Sequence, residues 1–399
     1  MGTAPDERAA RLTAERNRKM AASVHAYVRG STTRFYEWLG ASDHTALPDG
    51  PRVWICGDCH VSNLGPVASA DGKLAIQIRD LDQTVIGNPV HDLIRLGLSL
   101  AMAARGSDLP GVTTARMLER MIEGYESAFT PEHEWEVPDA DDDMPKLVRS
   151  AMREAMGRSW KHLADERIEG TDPVIPLGKR FWPLTDKERS AIEDIFANEN
   201  LRRLATSLRS RREDPPFRVM DAAYWQKGCS SLGRLRFAVL VAVDKGKAER
   251  HCLIDIKEAI APAAPRNADA DMPKENGARV VAGARHLSPH LGGRMLPARL
   301  LGKSVFIREL LPQDLKLDID HFTREEAIGV AEFLARVVGR AHSRQLSGAD
   351  RASWHAELQR NRTKTLEAPS WLWHAVVDLV GAHESAYLHH CRRYASDMN

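Results

Sequence analysis

Long apolar runs are missing from this 399-residue sequence. The longest lipid-like stretch, LGLSLAMAA (96–104), falls far short of the ~20 residues that a membrane-spanning helix needs. The opening MGTAPDERAARLTAERNRKM has no apolar core of a secretory signal. An excess of one charge is missing too: 56 Lys and Arg face 55 Asp and Glu, a formal net charge of +1. No global field therefore draws the protein to nucleic acid or to an anionic membrane. Aromatic residues make up 6% of the chain, and the basic segment RRLATSLRSRRE (202–213) has none interleaved. That segment reads as a solvated helix face, not a nucleic-acid groove. Cysteine is sparse and odd in number, five residues, which favours reduced thiols in a cytoplasm. The expectation is a cytoplasmic protein with neither nucleic acid nor membrane as partner. At 43% hydrophobic and 28% charged residues the chain has an ordinary globular composition, able to bury a sizeable core.

What is present is a change of character along the chain. Residues 7–40 have helical spacing, interrupted at Gly30. Val53-Trp54-Ile55 is a predicted short strand, and KLAIQIRDLD (73–82) a second one that ends on Asp80 and Asp82. DLIRLGLSLAMAA (92–104) reads as a helix with Asp92 as its N-cap, and 114–129 as an amphipathic helix. The acidic run DADDDM (139–144) reads as a solvated loop. After Pro215-Pro216 the chain turns strand-rich: RLRFAVLVAVD (234–244) and HCLIDIKEA (251–259) flank Lys245-Gly246-Lys247 as a hairpin. A helix at ARVVAGARHL, a strand at 303–310 and a helix opened by the capping box Thr323-Arg-Glu-Glu326 follow, and the remainder is helical in pattern.

One stretch, W-I-C-G-D-C-H-V-S-N (54–63), admits three chemistries. Cys56-Gly-Asp-Cys59-His60 has the spacing of a c-type haem attachment site. The two thiols and His60 have the donor types of a zinc site, though without a convincing fourth ligand nearby. Asp58 and Asn63 have the spacing of a phosphoryl-transfer loop, in which an Asp orients or deprotonates the acceptor and an Asn five residues later binds a metal. The surroundings favour the third. A second acidic pair, Asp80 and Asp82, lies after the next strand, where one hairpin brings both loops to one end. Asn63, Asp80 and Asp82 are hard oxygen ligands suited to Mg²⁺.

Donors for a nucleotide's phosphates come from the strand-rich part. Gly228-Cys-Ser-Ser-Leu-Gly233 is a turn opening onto a strand, with Gly228, Ser230, Ser231 and Gly233 as candidate phosphate-covering residues. It is neither G-x-G-x-x-G nor a Walker A motif. Lys257 ends the next strand, where a kinase's strand lysine pairs with phosphates. Arg29 beside Gly30 is either structural or within reach of a phosphate. His60 reads as a loop-holding hydrogen-bonding residue, and Asp92 as a helix cap that also supports the loop.

Gly57-Asp58-Cys59-His60-Val61-Ser62-Asn63, then Asp80-Leu81-Asp82, then Gly87-Asn88-Pro89 and Asp92-Leu93 resemble the active-site segment of aminoglycoside and choline kinases. Arg18-Lys19-Met20, Tyr27 to Gly30, Gly228 to Gly233, Lys257-Glu258-Ala259, Arg279-Val280-Val281 and Ala341-His342 make the chain from about residue 15 to 346 similar to an uncharacterised bacterial domain-of-unknown-function family. The resemblance implies an α+β, bilobal protein-kinase-like fold of the aminoglycoside phosphotransferase type. Its lobes would be circularly permuted, because the glycine turn and Lys257 follow the catalytic loop instead of preceding it. The implied lobes are 1–215 (helical, with the catalytic and metal loops), 216–318 (nucleotide-binding) and 319–399 (helices returning to the first lobe). The implied activity is Mg²⁺- and ATP-dependent phosphoryl transfer to a hydroxyl or amine of a small-molecule or protein acceptor. The helix after Lys257 offers no Glu, which leaves Glu275 or Glu258 as its candidate partner. A nucleotide-binding pseudokinase and an adenylyl-transferring enzyme use the same residues. A metallophosphoesterase would need His60, His91, His286 and His290 to gather around the acids.

Overall fold

The computed structural model describes residues 5–41, 47–130, 144–159, 174–199, 201, 217–229, 231–243, 250–266, 270–317, 323–360 and 368–394. The basic segment 202–213 and all but the last residue of the acidic run 139–144 lie outside the described residues, as does Ser230.

The fold is α+β. Its first helical stretch breaks into three pieces, α1 (Pro5–Ala21), α2 (Val24–Gly30) and α3 (Thr32–Ala41). Ser23 caps the second by accepting from the Ala26 amide, so the chain breaks before Gly30 as well as at it. Four short strands follow: β1 (Val53–Ile55), β2 (Leu64–Ala68), β3 (Leu74–Ile78) and β4 (Val85–Gly87). They form two separate antiparallel pairs, β1 with β4 and β2 with β3. Helices α4 (Val90–Gly106), α5 (Gly111–Ser127) and α6 (Lys146–Gly157) complete the first half. Helix α4 is buried from Leu93 to Ala104 and forms the axis of the helical core.

A six-stranded antiparallel sheet makes the other lobe, in the order β5-β6-β7-β8-β10-β9. Its strands are β5 (Phe181–Trp182), β6 (Phe217–Trp225), β7 (Arg236–Val243), β8 (Arg250–Glu258), β9 (Met295–Leu300) and β10 (Lys303–Leu310). The apolar run of β7 is buried at every position, as a strand covered on both faces requires. Leu12 of α1, with Ile192 and Phe196 of α7 (Asp186–Phe196), packs into the core on one face of this sheet. The strand-rich lobe therefore reaches back well before residue 216 and takes the first helix with it. Helix α8 (Asn276–Leu287) sits between the lobes: Val280, Val281 and Ala284 belong to the helical core while the helix packs along β9 and β10. The short α9 (Pro289–Gly292) leads on into β9.

The chain returns to the helical lobe as α10 (Arg324–Ser343), capped by the Thr323–Glu326 box, then α11 (Gly348–Arg360) and α12 (Ser370–Tyr394). Helices α5 and α10 cross with their backbones almost touching. A Cβ on Gly124 would lie 2.1 Å from the Glu332 carbonyl oxygen. Only backbone movement relieves that clash, so Gly124→Ala is expected to cost about 1–3 kcal/mol, the range for overpacking a filled core. Urea unfolding measures it; a change below ~0.5 kcal/mol, the scale of a neutral surface substitution, would show that the helices part freely.

Candidate active site

Local geometry puts the 56–63 loop where three elements meet. Gly57 has φ +74°, and a side chain there would drive into the Gln83 carbonyl, 2.3 Å from an added Cβ. Asp92 is not the helix cap. Helix α4 begins at Val90, after Pro89, and the Asn88 side chain accepts from the Val90 amide at 3.0 Å. Asp92, fully buried in the first turn, is thereby free to hold the loop. It accepts from the amides of Cys56 (2.7 Å) and Gly57 (2.9 Å) and contacts the His342 Nε2 at 3.2 Å.

Asp58 faces the cleft beside Arg95, whose Nε donates to its Oδ1 at 2.9 Å. Burial raises the Asp58 pKa, opposed chiefly by the Arg95 guanidinium. The Asp58 carbonyl accepts from Asn63 Nδ2 at 2.9 Å, which ties the two residues into one loop. Leu64 pairs with Ile78, and the Arg79 amide donates to the Asn63 carbonyl at 2.7 Å. Asn63 and Asp80 therefore emerge at the same open end of the β2–β3 hairpin. His60 is buried, with Nδ1 unbonded and Nε2 3.9 Å from Asp58 Oδ2, so it fills space and does not hold the loop by side-chain hydrogen bonds. Burial, then Arg95 and Arg29, keeps its imidazole well below the usual pKa and hence neutral.

Lys257 crosses from the sheet lobe to the hairpin end. Its ammonium contacts Asp82 and lies 3.5 Å from Asp80 Oδ1, over the ring of Phe306. Neither expected glutamate reaches it: Glu275 pairs with Arg299 at 2.8 Å, and Glu258 accepts from the Leu235 amide at 2.9 Å. Desolvation by the surrounding protein works against ionisation of Asp80, but Lys257, Arg308 and Arg236 together hold it well below the ordinary carboxylate range. Asp82 is raised, by burial and by the Asp80 charge. Asp82 Oδ1 is buried with no hydrogen-bond partner, the kind of vacant hard oxygen that a divalent cation takes. Among the described residues no group of three or more His, Cys, Asp and Glu has metal-holding geometry. The donors gathered are two carboxylates and the Asn63 amide, a sparse oxygen set that suits Mg²⁺ with water and phosphate completing its shell.

The glycine turn is placed in part as expected. Gly228 and Ser231 line the cleft, and Gly228 and Gly233 have φ of +99° and +92°. The Ser231 hydroxyl bonds the Lys227 carbonyl at 3.2 Å, which braces the turn. Gly233 faces away, toward Thr13 of α1.

Sequence reasoning missed most of the arginines. Arg279 of α8 is fully buried and donates to the carbonyls of Asp82 (2.9 Å), Ile260 (3.0 Å) and Thr84. It thus fastens the Asp80–Asp82 loop to α8; burial pushes its pKa down to about 10. Asp255, under the sheet, binds Arg236 at 2.8 Å and Arg308 at 3.1 Å, and those cations hold its carboxyl well below the ordinary range against the opposing effect of burial. The available signals were the helical spacing of Arg95 after Asp92 and the alternation of Arg236, Asp255 and Arg308 with apolar residues on their strands.

Among the described residues no cysteine belongs to a group of three or more metal-holding side chains. Cys56 and Cys59 are buried thiols; a hydrogen bond between them, then burial and Asp92, pushes Cys56 well up, and Cys59 is raised as well. The histidines do not converge either. His286 stacks on Trp54, and His290 lies 3.3 Å from the Val67 carbonyl.

A family model described as an uncharacterized protein conserved in bacteria (DUF2252) matches residues 8–393. The chain belongs to the DUF2252 family. No curated protein and no solved structure matches it. The match takes in all three parts of the DUF2252 chain described above, the hairpin end, the sheet and the returning helices. Among the described residues of this DUF2252 protein no helix is long and apolar enough to cross a membrane.

Proposed function

We propose that this protein is an Mg²⁺- and ATP-dependent phosphotransferase with a kinase-like fold whose lobes are circularly permuted. One observation carries the reading: Asp58, Asn63 and Asp80 meet at a hairpin end that faces a buried strand lysine, Lys257, across a cleft between a sheet lobe and a helical lobe. The order of glycine turn, strand, lysine strand and helix is that of a kinase nucleotide lobe. Permutation is supported by where the chain ends up. Gln345, just after α10, bonds both backbone groups of Trp54 in β1, at 2.8 and 3.0 Å. Helix α12 meets α1, with His390 on the Asn17 carbonyl at 2.9 Å. Such adjacency makes relocation of the termini inexpensive.

Asp58, held by Arg95, aligns the acceptor hydroxyl and takes its hydrogen bond. Asn63, Asp80 and Asp82 would hold Mg²⁺, which when bound neutralises charge on the transferred phosphoryl group. Lys257 and the turn at Gly228 orient the phosphates from the sheet side. Lys257 has to leave Asp82 for this role, since its ammonium now covers the metal-facing carboxylates. That ion pair, with a helix that supplies Arg279 in place of a Glu, favours a second reading, a nucleotide-binding pseudokinase.

The first test is thermal unfolding with millimolar ATP and Mg²⁺. A ligand at a hundred times its Kd stabilises by about 2.7 kcal/mol, roughly 5–11 °C for domains of 150–250 residues. A Mg²⁺-dependent shift is expected, and its absence with every nucleotide overturns the reading. Transfer of γ-phosphate label then separates a kinase from a pseudokinase, and transfer of α-phosphate label identifies adenylylation.

A further inference from the structure

The cleft carries more positive charge than its carboxylates balance. Asp58 has Arg95, Asp80 and Asp82 share Lys257, and Asp255 has Arg236 and Arg308. Two cations lining the same cleft, Arg29 and Lys316, make no ion pair or hydrogen bond among the described residues. They come from different walls: Arg29 from α2 in the helical lobe, Lys316 from the 311–317 connector that leaves β10. Their charges act on each other. Burial, then Arg29 and Arg79, brings the Lys316 pKa down to about 8, with Asp80 opposing. Arg29 also acts on His60, two residues from Asp58. Two cations in one cleft, with Asp80 already shared by Lys257, are costly in an empty site and are relieved by a bound anion.

On the reading proposed above, the nucleotide's phosphates have donors on the sheet wall in Lys257 and the backbone at Gly228, and a metal would sit opposite, at the hairpin end. Neither Arg29 nor Lys316 belongs to that wall: Arg29 follows Val28, whose carbonyl accepts from the same Arg95 that holds Asp58, and Lys316 follows Leu315, whose carbonyl lies against Gly65 of β2. Resting on the phosphotransferase reading, we propose that the acceptor itself carries a phosphate group, which Arg29 and Lys316 clasp so that its hydroxyl is presented to Asp58. Arginine's planar fork matches phosphate oxygens, and lysine adds a second point charge suited to a dianion. In the reaction the acceptor oxygen bonds the γ-phosphorus as its proton passes to Asp58. The bond from that phosphorus to the β-phosphate oxygen breaks, and ADP leaves. A polycationic acceptor of the aminoglycoside kind is excluded by the same two charges.

The test is calorimetric titration of inorganic phosphate, at constant ionic strength, into the full chain saturated with Mg²⁺ and a non-hydrolysable ATP analogue. Phosphate is expected to bind beside the nucleotide. Arg29→Gln with Lys316→Gln should weaken it at least ~10-fold, about 1.4 kcal/mol, with nucleotide affinity changed less than ~3-fold. Because Lys316 sits at the cleft mouth, Lys316→Gln alone serves if the double variant fails to fold, with a loss of ~3-fold or more expected. Phosphate that displaces the nucleotide, or binds the variant equally well, overturns the acceptor assignment and leaves the phosphotransferase reading standing. Absence of nucleotide binding in the preliminary titration overturns that reading itself, and the acceptor assignment with it.

Discussion

Asp80→Ala is expected to reduce γ-phosphate transfer at least ~10²–10³-fold, the scale of removing one group that stabilises developing charge in a closed site. The reason is positional. Asp80 stands at the hairpin end beside Asn63, and Lys257, Arg308 and Arg236 hold its pKa below the ordinary carboxylate range, so it is ionised at neutral pH. Stability should hardly change. The Asp80 side chain is 45% exposed, and Lys257 keeps its contact with Asp82, so no buried charge is left alone. An unfolding free energy within ~1 kcal/mol of wild type, with transfer abolished, is the expected pair of results. An Asp80→Ala protein that turns over normally would sink the assignment of the metal loop.

Arg279→Met should do the reverse, and damage the fold first. The substitution keeps the side chain's length and apolar stem but strands three carbonyls that Arg279 now satisfies, those of Asp82, Thr84 and Ile260. Each buried acceptor left unsatisfied costs ~1–3 kcal/mol. Relief of a desolvated guanidinium, which has no carboxylate in contact, gives part of that back. A net loss of roughly 3 kcal/mol is expected on this balance, read from urea midpoints at constant slope. Nucleotide-induced stabilisation should fall too, because the loop bearing Asp80 and Asp82 is no longer tied to α8. A loss under ~1 kcal/mol would mean that those carbonyls find water.

The parts that were legible in the sequence are the ones fixed by neighbours along the chain. The capping box at Thr323 forms as its residues imply, because both partners lie within one helical turn. Strands at 53–55, 74–78, 236–243 and 303–310 lie where apolar alternation or β-branched runs put them. Helix α4 shows the limit of local reading: Asp92 has a capping residue's chemistry, but packing uses its carboxylate two residues inside the helix, on the loop amides of Cys56 and Gly57. Strands β6 and β9 went unread, as half-buried segments with mixed pattern give little periodicity, and β2, buried throughout, is a short run broken by Gly65 and Pro66.

By itself the sequence determined that Asp58, Asn63, Asp80 and Asp82 share one end of a hairpin, since loops so close in the chain have few ways to be arranged. It also determined that the cysteines are sparse and that no apolar run is long enough to span a membrane. Tertiary structure alone decided which charges meet. Lys257 reaches Asp80 across 177 positions of chain and takes Asp82 instead of a glutamate. Arg95 takes Asp58 from 37 positions away, and Arg279 reaches the Asp82 carbonyl from 197. Arg29 and Lys316, brought to one cleft from α2 and from the connector after β10, make no ion pair among the described residues. A side chain's charge is written in the sequence, but its counter-charge is chosen by packing, because a buried ion is tolerated only where the folded chain brings it a partner or leaves room for a ligand to do so.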